Sequence, residues 1–449
     1  MVTLATVLAD ITEDVRRVFP AEAIVRVCQR IGHIFRLRLL DPVTTIHAFA
    51  IQVLHGNTAC SHLRHLLGAT FTGAAYCQAR RRLPLRLFRV LLRWACRSAR
   101  RGAATFGRWH GHRVIHVDGS RFSMADTPAL QAAFGQPGGQ RAGCGFPVAH
   151  LLAMFDAATG LLLDVLAAPL RTHDLSQVSH LHRRLQADDV VVADRGFCSY
   201  VHLALLCLRG IHAVFRLHQK MLVDFTPGRP HARPGDKRGP SGLPRSRWVR
   251  LLGVQDQVVE WFKPVAAPRW MSATAYASLP ASLFVRELRY RVTAPGYRTR
   301  HITLVTTLLD DEVCPADELA QLYRCRWQVE TNLRYLKVAL GMDVLRCKSV
   351  EGVRKELLMF ALIYNLVRCV MLAAGKQQGV PPDRISFIDA TRWLQAARDG
   401  RPLPRLKVNP LRLGRLEPRV RKRRPKQYSL MKHPRQVLRN ALEIQSVNA

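Results

Sequence analysis

At 449 residues the chain is too long for one ordinary core and predicts two or three domains, and its 48% of hydrophobic residues excludes global disorder. Its charge is the unusual feature: 68 Lys and Arg against 32 Asp and Glu leave +36, which points to a polyanionic partner, nucleic acid first. No membrane association is expected and a cytosolic place is: the most apolar run, Leu357 to Val367, is stopped by Arg368 short of the roughly 20 residues a spanning helix needs, and acidic residues interrupt the N-terminal stretch where a signal peptide would be basic and then apolar.

From Met1 to about Ala104 apolar residues recur at threes and fours, through Val15 to Leu40 and again through Leu85 to Trp94. That spacing predicts a helical N-terminal DNA-binding region, 1–104, with basic residues between the apolar positions suited to phosphates. The stretch Gln78 to Pro84, QARRRLP, ends one helix or starts the next. Eleven cysteines, with no C-x-x-C pair, support neither a disulfide framework nor a zinc ribbon. Cys60, His62 and His65 beside His55 lack the second spaced ligand pair a zinc site needs.

About Gly111 the rhythm changes to short β-branched or Leu-rich runs bounded by Gly, Asp and Pro. Val114–Val117 leads into Asp118-Gly119-Ser120, and Val148–Phe155 and Leu161–Leu166 flank a hairpin turn at Asp156–Gly160. A helix over Leu175–Leu185, a strand ending at Asp194, a helix over Tyr200–Leu208 and a strand at His212–Leu217 complete an order expected of an α/β domain with a mixed sheet. Gln219 to Arg250 is rich in Gly, Pro and Arg, and β-like runs follow at Trp248–Val254, Gln257–Phe262, Leu283–Val292 and His301–Leu308. We read 218–283 as a β-rich insertion, with 105–217 and 284–345 forming the α/β domain it interrupts. Strong helices are predicted over Ala316–Leu340 and Val353–Ala374, the latter in a C-terminal helical region, 346–400, and a basic tail follows over 401–449. Within the tail, Arg421, Lys422, Arg423 and Arg424 are candidate DNA contacts.

Three acids carry the chemistry. Asp118 and Asp194 each end an apolar strand, and Gly119 lets another group approach closely. Carboxylates that end neighbouring strands can converge on one point, as hard, oxygen-seeking Mg²⁺ requires. The third, Glu330, belongs to the spacing Y-x2-R-x3-E-x6-K formed by Tyr323, Arg326, Glu330 and Lys337; on an α-helix these side chains spread over only about 60° and line one face. Leu322, Val329, Leu333, Leu336 and Leu340 form an adjacent apolar stripe able to pack on a sheet. His110, His112 and His116 alternate along a strand without an acid partner, which predicts surface placement, and Asp126 before Thr127-Pro128 predicts a helix cap.

On the Tyr-Arg-Glu-Lys helix, the D-G-S strand, the A-D-R-G-F strand, the Q-A-R-x-R-L-P stretch and the R-K-R-R-P-K-x-Y tail at Arg421 to Tyr428, the chain resembles the DDE transposases of the insertion-sequence-four type over nearly its whole length. The resemblance implies an RNase H-like catalytic domain with a β insertion between the second and third acids. It implies two Mg²⁺ ions, replaceable by Mn²⁺, with Asp118 sharing both and Asp194 and Glu330 holding one each. Tyr323, Arg326 and Lys337 would bind DNA near the cut. It also implies a bacterial, nucleoid-associated enzyme that acts as a dimer on terminal inverted repeats and target DNA. A hairpin intermediate would need a flipped base on an aromatic, for which Trp248, Trp261 and Trp270 are candidates. Two other classes compete: a catalytically silent DNA-binding repressor, against which the intact acids speak, and another two-metal nuclease, against which the long insertion and basic arms speak.

Overall fold

The computed structural model describes residues 20–68, 70–102, 107–172, 174–232, 242–292, 301–396, 403–411 and 431–447. Among these residues five helices come first: α1 (Ala21–Arg30), α2 (Pro42–Leu54), α3 (Cys60–Leu66), α4 (Gly73–Arg82) and α5 (Leu85–Gly102). The carboxylate of Asp41 accepts from the Thr44 amide to cap α2, and Pro42, whose missing N–H costs nothing in a first turn, starts it. QARRRLP divides two elements: α4 ends at Arg82 and α5 begins just past Pro84.

Next come β1 (Val114–Met124), α6 (Pro128–Phe134), β2 (Val148–Asp156), β3 (Leu162–Pro169), α7 (Asp174–Val178) with a 3₁₀ continuation to Arg184, β4 (Val190–Ala193), α8 (Tyr200–Cys207) and β5 (His212–Arg216). The expected order of strands and helices is present, and the β2–β3 hairpin turns at Asp156–Gly160, where the Asp156 carboxylate accepts from the amide and hydroxyl of Thr159. The remaining strands are β6 (Ser246–Gly253), β7 (Asp256–Phe262), β8 (Ser282–Arg291) and β9 (His301–Thr306), with α9 (Ala273–Ala277) between β7 and β8. Then follow α10 (Ala316–Cys325), α11 (Gln328–Arg334), β10 (Val344–Leu345), α12 (Val350–Gln378), α13 (Phe387–Ala396) and α14 (Arg435–Val447).

All ten strands join one mixed sheet, in the order β3-β2-β1-β4-β5-β9-β8-β7-β6, with β10 paired to β1. β6 and β7 add to the outer edge through β8, so the strands read as an insertion extend the central sheet. Near its middle, β1 is antiparallel to β2 and parallel to β4. Along β1, β4 pairs with Val114–Val117 alone, and β10 takes up the same side at Ser123 and Met124. The stretch between them leaves a notch in the sheet beside Asp118.

α12 is the one described helix long and apolar enough to cross a membrane, and it is the core of the fold: 89% of its apolar window is buried, against α2, α5, β3 and α13. Arg368, fully buried in it, donates to the carbonyl of Thr159 at 2.7 and 3.1 Å. The expected Ala316–Leu340 helix is corrected to three pieces. It breaks at Arg326-Trp327 between α10 and α11, and Tyr335–Ala339 is a π-helical turn, a widening that re-aims the side chains after it. Thr127, rather than Asp126, caps α6; Asp126 pairs instead with Arg435 of α14 at 2.9 Å.

Candidate active site

Asp118 is the first residue of β1 past its pairing with β4 and lies inside the strand, correcting its expected place at a strand end, while Asp194 is the first residue past the end of β4; Val117 and Ala193 are register partners, so the two carboxylates follow matched positions on neighbouring strands. Asp118 Oδ1 accepts from the Gly119 amide at 2.8 Å. Asp194 turns the chain into a 3₁₀ segment at Arg195–Phe197. Both line a cavity of roughly 480 Å³ together with Gly119, Ser120, Gly196, Phe197 and Lys337.

The broken helix supplies the opposite wall. Tyr323 is buried and its hydroxyl donates to Asp194 Oδ1 at 3.4 Å. Arg326 reaches Asp118 at 3.6 Å and Glu330 at 3.2 Å, and Lys337 donates to Ser120 Oγ at 2.9 Å. All four residues of the Tyr-Arg-Glu-Lys spacing thus meet the middle of β1, the residue after β4 or each other, although the helix carrying them is interrupted. Leu322, Val329, Leu333, Leu336 and Leu340 are buried, as the stripe required. Glu330 is outside the cavity lining and joins the group through Arg326.

Burial pushes the Asp118 carboxyl up to about 6, with Glu330 and Asp194 adding to the rise and the Gly119 amide and Arg326 opposing it. Burial pulls against the Arg326 charge, but Tyr323, Asp118, Asp194 and Glu330 outweigh it and hold the guanidinium charged. Burial also raises Tyr323, which stays a phenol able to donate, and lowers Lys337. As donors, three carboxylates suit a hard divalent cation in kind. Among the described residues, no three His, Cys, Asp or Glu side chains stand close enough together to hold a metal as placed, and Arg326 lies between Asp118 and Glu330.

Two groups were missed in the sequence, and one was misjudged. Ser120 binds Lys337, and His150 of β2 and Asp174 of α7 lie against each other on the cavity wall. His116, expected at the surface, is 1% exposed under Asp118 on the same strand. At His116 β1 is flanked by strands on both sides and covered on both faces, so alternation does not bring that residue to solvent. Burial, then Arg326, lowers the His116 ring to about 4, leaving it neutral. His110 faces Glu318, and the His112 ring stacks edge-on to His212.

Of the aromatic candidates, Trp261 is buried in β7 and donates to Glu287 Oε1 at 2.9 Å, whereas Trp248 and Trp270 are half-buried. Arg421, Lys422, Arg423 and Arg424 lie outside the described residues.

The sequence profile of the transposase DDE domain matches residues 109–366, which takes in all three acids and the helix that faces them. Transposase InsG of insertion sequence element IS4 from Escherichia coli is 24% identical over 343 residues, 71% of this chain and 70% of that protein. The transposase of insertion sequence element IS421 from Escherichia coli is 43% identical over 51 residues, 11% of this chain and 14% of that one. Among solved structures, the piggyBac transposase in a synaptic complex with hairpin DNA is similar over 85% of this chain and 78% of that one, at 10% identity and a TM-score of 0.43. The chain belongs to the transposase DDE domain family, of the insertion-sequence-four type.

Proposed function

We propose that this protein is an active DNA transposase that binds the terminal inverted repeats of an insertion sequence, cuts the element out and joins its 3′ ends to target DNA. The observation that supports the reading is the chain of contacts Tyr323–Asp194, Arg326–Asp118, Arg326–Glu330 and Lys337–Ser120, made between segments up to about 200 residues apart. Asp118, Asp194 and Glu330 would hold two Mg²⁺ ions, or Mn²⁺ in their place. Bound there, the ions would supply Lewis-acid stabilisation to the attacking and leaving oxygens of an in-line displacement.

The chain's own residues do the rest. Arg326 offsets the repulsion among the acids and, as a forked cation, can turn to a phosphate. Lys337 presents a point charge to the same strand, and Tyr323 can fix the neighbouring phosphate through its hydroxyl. A dimer would pair the two element ends, the tail from Arg419 onward would add backbone contacts, and the half-buried Trp248 or Trp270 would serve better than Trp261 to stack a flipped base. With these roles, we place the protein in the bacterial cytoplasm at the nucleoid. The RNase H-like character of residues 105–217 and 284–345, the DNA-binding role of 1–104 and the domain limits at 218–283, 346–400 and 401–449 belong to this reading.

The test is single-turnover cleavage of a labelled duplex carrying one end of the element, with purified protein and Mg²⁺. Asp118→Asn, Asp194→Asn and Glu330→Gln should each stop cutting while still binding the duplex; retained cutting by one of them would remove that residue from the site. Binding should weaken with salt with a logarithmic slope of about −0.9 per neutralised phosphate, and deleting the tail should flatten that slope.

A further inference from the structure

Two cysteines touch in the N-terminal helices, and the cleavage reading gives them no task. Cys60 starts α3 and Cys77 lies midway along α4; Cys77 Sγ donates to Cys60 Sγ at 3.4 Å. Gly73 lets the two helices come this close: a Cβ there would lie 3.2 Å from the Ser61 nitrogen and 3.3 Å from the Cys60 carbonyl carbon. Cys77 follows Gly73 by four residues, so both stand on the face of α4 that meets α3. Behind Cys60 lies the buried Gln52 amide, which donates to its sulfur at 3.7 Å and to the Thr58 carbonyl at 2.6 Å. Gln52 is fixed in turn by the Tyr76 hydroxyl at 2.9 Å and by Arg80 at 3.0 Å. Arg80 also donates to Cys347 at 3.0 Å, so the third thiol nearby has a partner of its own. Cys77 is exposed and Cys60 half-buried, which lets a small oxidant reach the pair from solvent.

We propose that Cys60 and Cys77 form a redox modification site, a dithiol that a peroxide converts into a disulfide stapling α3 to α4. The Cys77 thiolate attacks one oxygen of hydrogen peroxide, the O–O bond breaks, and the sulfur becomes a sulfenic acid as hydroxide leaves. The Cys60 thiolate then attacks the Cys77 sulfur, and the S–O bond breaks with loss of a second hydroxide. Protons given up by the two thiols turn both hydroxides into water, so the sulfurs are oxidised as the peroxide is reduced. The sulfurs have only to close from contact to bonding distance. Burial, then the Cys60 contact, raises the Cys77 thiol, with Arg80 opposing, so nearness rather than acidity selects this pair. Where thiols are kept reduced the bond is transient, because exchange with a reductant returns the dithiol.

The inference stands apart from the cleavage reading and is tested without DNA. The purified full-length protein is treated with hydrogen peroxide, its remaining thiols are alkylated, and its tryptic peptides are mapped without reductant. Trypsin cuts between the two cysteines at Arg64, so the disulfide should appear as one ion joining residues 39–64 to residues 65–80. That ion should form ahead of any other cysteine pair, at a rate independent of protein concentration. Dithiothreitol should split it and restore all eleven alkylatable thiols. Cys77→Ser, a change at an exposed position, should abolish it. Absence of the ion at peroxide doses that oxidise other thiols would overturn the proposal. So would oxidation of Cys60 and Cys77 to separate acids that dithiothreitol does not reverse, or a bond from Cys77 to a different cysteine or to a second copy of the chain.

Discussion

Two clusters of carboxylate and arginine sit in the same sheet and are built in opposite ways. On the outer strands, Arg286 is fully buried; it donates to Asp256 from two nitrogens, at 2.8 Å from Nε, and to the carbonyl of Cys314 at 2.7 Å. Next to it, Glu287 accepts from Trp261 at 2.9 Å and from Gln257 at 3.0 Å. At the notch beside β1, Arg326 reaches its two acids at only 3.2 and 3.6 Å, and Asp118 is pushed up to about 6 by burial. The outer acids have fixed donors. Asp118 and Asp194 have few and open onto a cavity, which is how a site kept for an incoming charge differs from one that holds the fold together.

The comparison breaks most sharply under substitution. Asp118→Asn, Asp194→Asn and Glu330→Gln should take cleavage to background while urea unfolding shows a fold at least as stable as the parent. If they unfold the protein instead, the inner cluster is structural like the outer one. Arg286→Ala should do the reverse: stranding buried Asp256 should cost about 3–5 kcal/mol of unfolding free energy. A loss under ~1 kcal/mol would mean that water reaches the outer cluster.

Next in size is the cation face. Arg326→Ala and Lys337→Ala should each slow cleavage by about 10² to 10³, the usual cost of removing a positioned group beside developing charge. Arg324 is exposed and makes no side-chain bond among the described residues, so Arg324→Ala should have little effect. Equal losses from all three, measured at saturating protein, would reduce the face to generic basic surface.

The smallest effect concerns pH. The folded-state pKa of Asp118, about 6, lies above the ordinary 3.8, so the ionised carboxylate opposes folding. That penalty is present above pH 6, shrinks as pH falls towards 3.8 and is gone below it. In metal-free buffer Asp118→Asn should therefore gain about 1–3 kcal/mol at pH 7.5 and nothing at pH 3.5. A gain that is the same at both pH values would show that charge is not its cause.

Much of this was legible in the sequence because the signals are local. The acid after β4, a hairpin turn and a helix-face spacing are each written within about 15 residues, whereas the strand of Asp118 runs on to Met124 past the polar residues that read as its end. The break at Arg326-Trp327 was not, since neither residue is a helix breaker and the apolar period runs straight through it. Nor was the pairing of β6 and β7 with β8, because pairing is a property of the assembled sheet. His150 and Asp174 lie 24 positions apart, and only Gly119, read as a place of close approach, hinted that something sits there. His116 was misjudged because alternation reports one buried face, and β1 is covered on both at that residue.

The burial of α12 has a consequence for synthesis. Helices α2 and α5 pack their apolar faces on a helix that begins about 250 residues after α5 ends. At translation rates of about 5–20 residues per second, the N-terminal helices wait roughly 10–50 s on the ribosome with that face uncovered. Protease should cut them readily in chains stalled before Val350 and spare them in chains stalled well past Gln378. A copy of the gene truncated ahead of α12 would then make a short-lived, sticky fragment.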